Sequence, residues 1–340
     1  MSDAEAPPHP RDVFTLDEIE APAAAFTKAM ASGRLHHAWL LTGPEGVGKA
    51  SFAYRAARRL LGAADAPAFG PLGSAPTDTV SRLVSAQSHP DLMVLERQVE
   101  GGKLKKSISV DDARRLPEFF AKAPSHAPFR VAIVDSADDL NLNAANAVLK
   151  TLEEPPERGV LFLVAHSPGR LLATIRSRCR RLAFAPWPQA HLAGFVRARM
   201  SLADADAARL AEMAKGAPGR ALSLASAGAL ALDDQAGALL ARLPDTSDAE
   251  IIALTDSFRG GEGAQRFALL LERLSDRLRA AALAGVDQVS KAELDRWAAL
   301  WETLSRLPGE VEAINLDRGD AFWSVVTDLK AAARRQPFRC

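Results

Sequence analysis

The sequence predicts an α/β domain on a parallel sheet, joined to an all-α region, and three stretches carry that reading. Residues 129–181 hold two apolar runs, Val131–Val134 and Val160–Val164, on either side of a helical pattern. Residues 37–61 pass from a short apolar strand through a glycine-rich loop into a helix. From Leu243 onward, apolar positions recur at helical spacing.

The first stretch sets the topology. Val131-Ala132-Ile133-Val134 stops on Asp135, and Ser136-Ala137-Asp138-Asp139 follow. Leu142, Ala145, Val148, Leu149 and Leu152 then share one helical face. Pro155-Pro156 ends that helix, because proline lacks the N–H and clashes with the preceding turn. Two buried strands joined by a helix form a βαβ unit. Its right-handed crossover brings the strand ends, Asp135 among them, to the sheet edge where α/β proteins bind ligands.

The second stretch carries the chemistry. His37–Thr42 is an apolar strand leading into Gly43-Pro44-Glu45-Gly46-Val47-Gly48-Lys49-Ala50, and a helix runs from Ser51 to about Leu61. A phosphate-binding loop needs this context. Gly43, Gly46 and Gly48 let backbone N–H groups close around phosphate oxygens, the helix N-terminus adds its positive end, and Lys49 supplies a cation. A plain strand-to-helix turn has no need of Lys49. The position after the lysine normally carries a hydroxyl that holds Mg²⁺, and here it is Ala50. Ser51 comes one residue late, a swing of about 100° on a helix. Asp135 closes its strand, but its neighbour is Ser136, which cannot orient and deprotonate water as a general base does. Two elements of hydrolytic machinery are therefore missing, and ATP hydrolysis by this chain alone is not expected.

Composition narrows the classes. Of 340 residues, 48% are hydrophobic, enough for a sizeable core and two or three domains. Lys+Arg and Asp+Glu are equal at 42 each, so nucleic-acid contact would need a local patch or partner chains. Two cysteines, Cys179 and Cys340, cannot make a disulfide framework or a four-thiolate zinc site. No apolar run approaches membrane-spanning length, and the start lacks a basic segment followed by a hydrophobic one. These features indicate a soluble, cytoplasmic protein with no membrane partner.

The remaining segments fall between these anchors. Residues 1–15 are polar with Pro7, Pro8 and Pro10, and read as a mobile tail. A helix is expected over Pro22–Ser32, ending at Gly33. Gly62–Thr79 reads as an excursion from the sheet, Asp91–Glu96 as a strand, and Asp111 or Asp112 as the cap of a helix reaching about Lys122. The basic loop with Lys103, Lys105 and Lys106 is either a solvated hairpin tip or a DNA contact. After the second core strand comes a loop with Arg170, Arg176, Arg178, Arg180 and Arg181, and then a short strand over Arg181–Ala185. An arginine displayed there is either part of a solvated basic rim or a finger reaching a phosphate on a neighbouring subunit, and such a finger is worth about 10³–10⁵ in rate. Cys179 reads as a small buried residue, with no base arranged to make it a nucleophile.

Gly33-Arg34-Leu35-His36-His37-Ala38, Ser88-His89-Pro90-Asp91, Asn146–Pro156 and Arg176-Ser177-Arg178-Cys179 together resemble the bacterial clamp-loader ATPase family. The most specific part is Leu149-Lys150-Thr151-Leu152-Glu153-Glu154-Pro155-Pro156 followed by Ser177-Arg178-Cys179. The likeness is strong over about residues 20–225. It implies an AAA+ domain over residues 16–186, a helical lid over 187–242 and a helical collar over 243–340 that joins a hetero-pentamer with gamma/tau and delta subunits. It also implies action on a sliding clamp and on primer-template DNA through the complex, in DNA replication. The family's Ser-Arg-Cys arginine, Arg178 here, acts in trans on ATP held by a gamma/tau neighbour. Arg220 matches the lid's sensor-2 position.

The departures decide between roles within that family. Many members carry four zinc-binding cysteines between the loop and the second strand, but Leu61–His89 has none, so no zinc is expected. The sensor-1 position, around Ala165-His166-Ser167, lacks a threonine or asparagine. With Ala50 and Ser136, this indicates a stator that completes a neighbour's site, with ATP or ADP held, if at all, without turnover. A gamma/tau-type motor is the alternative, and a P-loop kinase or regulatory NTPase is a more distant one. In the C-terminal half, Leu192–Leu232 shows helical segments with Gly/Pro breaks, and a long amphipathic helix is expected from Phe267 to Leu283. Trp297, Trp301, Phe322 and Trp323 are core or interface aromatics.

Overall fold

The computed structural model describes residues 7–101, 103–284 and 291–335, and Cys340 and the side chain of Lys103 lie outside them. The chain divides into two compact units at Leu222–Ser223.

The first unit is built on a five-stranded parallel sheet. Its strands are β1 (Ala38–Thr42), β2 (Leu92–Glu96), β5 (Arg130–Asp135), β6 (Gly159–Ala165) and β7 (Arg180–Ala183). They lie in the order β2-β5-β6-β1-β7. After β1 the chain crosses to the far edge, returns through β5 and β6 to one side of β1, and adds β7 on the other. The carboxyl end of β1 is thus a switch point, where open α/β sheets place ligands.

Both faces of the sheet are covered, which explains why β1 and β6 are buried along their whole length. On one face Leu40, Val134, Leu161 and Leu163 pack with Leu116 of α4 (Val110–Phe120), Val148 and Leu152 of α5 (Leu142–Glu153) and Ile175 of α6 (Ala173–Arg178). On the other, Trp39 and Phe162 lie against Phe26 of α1 (Glu20–Ala31), and Phe26 meets Phe52 of α2 (Lys49–Leu60) edge-on. Adjacent strand residues point to opposite faces, so Trp39 and Leu40 fall in different halves of the core.

Several local expectations change. Leu142 begins α5 and is 65% exposed, because the first residue of a helix projects beyond the face its later turns bury. Helix α4 is capped by Ser109, whose Oγ accepts from Asp112 N–H at 3.1 Å, and not by Asp111 or Asp112. The segment before Ser177-Arg178-Cys179 contains the short helix α6 where a loop was expected. The basic loop is the tip of a hairpin, β3 (Val99–Glu100) with β4 (Lys103–Leu104), and Lys105 pairs with Glu100 at 3.1 Å. Asp91, from Ser88-His89-Pro90-Asp91, is fully buried. It accepts N–H bonds from Ser125, His126 and Ala127 at 2.8–3.1 Å, so this motif ties β2 to the segment entering β5.

Residues 9–14, read above as part of a mobile tail, lie against α2 and α3 (Thr79–Ser85) through a ladder of arginines. Arg58, 1% exposed, donates to the Arg11 carbonyl and stacks over the Phe14 ring at 4.2 Å. Arg55, 2% exposed, donates to the Phe14 carbonyl, to Phe69 O at 2.7 Å and to Pro71 O at 2.5 Å. One guanidinium thereby joins the N-terminal strap and the 62–79 excursion to the helix behind the glycine loop. A buried Ser81–Ser74 hydroxyl bond of 3.0 Å closes the excursion from the other side. Among the described residues no group of three or more His, Cys, Asp or Glu is placed to hold a metal ion.

Helices α7 (Gln189–Met200), α8 (Asp204–Ala214) and the start of α9 (Pro218–Ser226) belong to this first unit. The second unit contains α10 (Ala229–Ala241), α11 (Asp248–Asp256), α12 (Gly263–Ala284), α13 (Lys291–Ile314) and α14 (Arg318–Arg335). Its core includes Phe258, Phe267, Leu274, Phe322 and Leu329, and Trp297 is buried while Trp301 is 39% exposed. Asp233 of α10 receives a two-pronged bond from Arg277 of α12, at 3.0 and 2.7 Å. Among the described residues no helix is long and apolar enough to cross a membrane.

Replacing Arg55 with Ala leaves three carbonyls without their donor and is expected to cost about 3 kcal/mol of unfolding free energy in urea titration. Arg55→Lys should recover less than half of that, since one ammonium cannot span the three acceptors. A loss below about 1 kcal/mol for Arg55→Ala would show that the strap and excursion are held by other contacts.

Candidate functional site

The carboxyl ends of β1, β5 and β6 open on a cavity of about 410 Å³. Gly46, Gly48, Lys49, Ala50 and Ser51 form its floor, with Asp135 and His166 at the strand ends. The strap over residues 12–17 and Pro218-Gly219 at the start of α9 complete the wall.

Lys49 is the centre of this site. It is 2% exposed, and its Nζ donates to Gly43 O at 2.6 Å and Pro44 O at 2.5 Å. Desolvation lowers its pKa to about 8, opposed by Asp135, Asp138 and Glu45. Burial likewise raises Asp135 to about 6, reinforced by Glu96 and opposed by Lys49. The loop can wrap its own lysine because Gly48 caps α2 at φ +103° and Gly46 turns at φ +77°. Gly46 has a second constraint: a Cβ there would stand 2.6 Å from Arg220 N. Its carbonyl accepts from Gly219 N–H at 2.8 Å, so α9 begins directly on the loop.

The hydrolytic positions are otherwise engaged. Ala50 lines the cavity without a hydroxyl, and Ser51 lines it from the next position. Ser136 Oγ donates to Asp139 at 3.0 Å and its N–H points to the same carboxylate at 3.4 Å. Asp138 accepts from the backbone N–H of His166 at 2.6 Å and Ser167 at 2.8 Å, which fixes the loop after β6. The donor set suits an anion: the uncapped first turn of α2 and the Lys49 ammonium. It offers no hydroxyl at the position after Lys49, where Ala50 lines the cavity.

The site residues read from sequence therefore divide. Gly46, Gly48, Lys49 and Asp135 line one cavity. Gly43 stands just outside it, packed on Phe184 and giving its carbonyl to Lys49. Arg220 meets the loop through its backbone, not as a cavity-lining side chain. The strap residues Phe14–Asp17 were not anticipated, because nothing in a polar, proline-rich N-terminus signals which helix will hold it.

Arg178 lies elsewhere. It ends α6, whose Ile175 is buried in the core, and its side chain is 37% exposed. Its guanidinium donates to Thr174 O at 3.2 Å and pairs with Glu153 at 3.1 Å. Ser177 Oγ donates to the same Thr174 carbonyl at 3.1 Å, closing the last turn. Cys179 is half-buried against the core, and burial pushes its thiol up to about 12, which leaves it protonated and unreactive. The neighbouring arginines are used within the domain: Arg180 stacks over Trp39 at 5.2 Å and Arg181 donates to Thr42 Oγ1 at 2.9 Å.

A raised carboxyl pKa means that the proton on Asp135 stabilises the folded state below its ordinary value of 3.8, and this contribution is lost as pH rises through about 6. Carbon-13 titration should place Asp135 near 6. Lys49→Met should move it higher and Glu96→Gln lower. A midpoint near 4 that ignores Lys49→Met would mean the cavity is open to water.

Comparison with known proteins follows the same sheet. The family model described as DNA polymerase III, delta subunit, matches residues 20–188. The chain is 41% identical over 143 residues to the DNA polymerase III subunit delta' of Pseudomonas aeruginosa, covering 42% of this chain and 41% of that one. It is 34% identical over 204 residues to the Escherichia coli subunit delta', covering 58% of each. The matched region thus spans about half the length of these relatives. A gamma-subunit-related protein of DNA polymerase III from Thermotoga maritima superposes with a TM-score of 0.47 at 17% identity, covering 93% of this chain and 99% of that one. Residues 20–188 thus resemble the DNA polymerase III delta and delta' subunits.

Proposed function

We propose that this protein is the delta' subunit of a bacterial DNA polymerase III clamp loader, a stator that supplies Arg178 in trans to a neighbouring ATPase subunit. The observation that carries the reading is the separation of Arg178 from the chain's own cavity: the arginine sits on the surface at the end of α6 and takes no part in lining the site around Lys49. An arginine in that position serves a phosphate only if another subunit brings one. The partners in this reading are gamma/tau and delta subunits in a hetero-pentamer, with the sliding clamp and primer-template DNA met through the complex in the bacterial cytoplasm.

The cavity's own role in this reading is to hold ATP or ADP without turning it over. Gly46, Gly48, the first turn of α2 and Lys49 would take the phosphates, once Lys49 leaves its loop carbonyls. Asp135 would stand beside them. Ala50 supplies no metal-binding hydroxyl and Ser136 no general base, so no ATPase activity of the isolated chain is expected. A gamma/tau-type motor is the competing reading, and the same two residues weigh against it.

The test is ATP turnover by the reconstituted loader with clamp and primed DNA, comparing wild type with Arg178→Ala. A fall of about 10-fold or more in the complex, with the isolated chain silent, is expected. Turnover by the isolated chain that Arg178→Ala leaves unchanged would make the protein a motor.

A further inference from the structure

The geometry points to Glu153 as the positioning residue that holds the Arg178 finger outward before a neighbour's phosphate arrives, an assignment that rests on the trans reading of Arg178. Glu153 is the last residue of α5, and its Oε1 lies 3.1 Å from Arg178 Nη2. The other terminal nitrogen, Nη1, donates to Thr174 O at 3.2 Å. Both bonds come from well-anchored elements: α5 is buried through Val148, Thr151 and Leu152, and α6 through Ile175.

The position of Glu153 is unfavourable for helix stability. A carboxylate in the last turn faces the negative end of the helix dipole, where cations are preferred. Glu154 follows it and Pro155-Pro156 prevent the helix from continuing, so Glu153 is fixed at the helix end. What it gains there is Arg178.

The two side chains are 37% and 52% exposed, and pairs this open contribute little to stability. Their effect is on conformation. A free arginine side chain samples many rotamers, and ordering it at the moment of reaction raises the barrier. A guanidinium has five N–H donors, and the contacts to Glu153 and Thr174 occupy two of them. Three donors are left to meet a phosphate without breaking either contact. Glu153 thus orders the finger in advance and stays in place while it works.

In the reconstituted loader, Glu153→Ala should lower kcat for ATP by about 5-fold, the upper range for an exposed pair, with KM unchanged. Glu153→Gln, which keeps an acceptor oxygen, should recover part of the rate. Neither substitution should have an effect in an Arg178→Ala background. An unchanged or raised kcat for Glu153→Ala, or an equal fall with and without Arg178, would overturn the assignment. If Arg178→Ala itself leaves turnover unaltered, the trans reading falls, and the positioning role falls with it. If Arg178→Ala slows the loader and Glu153→Ala does not, only Glu153 is misassigned.

Discussion

The ammonium of Lys49 must be both buried and satisfied, and much of the first unit is arranged around that requirement. An isolated ammonium taken out of water costs several kcal/mol unless acceptors and countercharge meet it. Here the loop turns back so that Gly43 and Pro44 present their carbonyls, and β5 ends so that Asp135 lies in the same cavity. The proximity is mutual: each group holds the other nearer its charged form, against burial that favours the neutral one. Only a parallel sheet with β1 and β5 ending at one edge brings the two together, since they are separated by the whole of β6.

The cover over this cavity follows from the helix that Lys49 begins. Helix α2 carries Arg55 and Arg58 on its buried side, and their guanidinium groups are satisfied by carbonyls of the strap and the excursion. Side chains this polar are tolerated inside because they replace hydrogen bonds the irregular segments would otherwise lack. Hydrogen bonds to the Arg55 guanidinium hold the 62–79 excursion to α2. On the opposite wall, Gly219 N–H bonds directly to the Gly46 carbonyl, so the start of α9 is tied to the loop.

Two arrangements of charge are thereby kept apart on one sheet. Around Lys49 the ammonium is buried and bonded to backbone carbonyls, with Asp135 in the same cavity. At the end of α6 an arginine is partly exposed and held by Glu153 and Thr174, on a helix anchored in the core by Ile175. Strand ends favour the first arrangement because backbone and side chains converge there. A short helix resting on one buried isoleucine favours the second, because it presents its last turn to solvent.

Much of this was legible in the residues themselves. The apolar runs 131–134 and 160–164, the Gly43–Lys49 loop and the Pro155-Pro156 stop depend on local chemistry, and local chemistry is written in order along the chain. What sequence could not contain was pairing across distance. The attachment of residues 9–14 to Arg55 and Arg58, the approach of Arg220's backbone to Gly46, and the contact of Glu153 with Arg178 each join segments with no shared periodicity. Leu142 shows the same limit in reverse, since its spacing marks the apolar face and only the helix start places it in water. Sequence by itself determined the sheet and the glycine loop between strand and helix, because these follow from hydrophobic period and residue type. Tertiary structure decided which buried cation meets which carbonyl and which arginine remains outside, because those outcomes depend on satisfying polar groups in three dimensions.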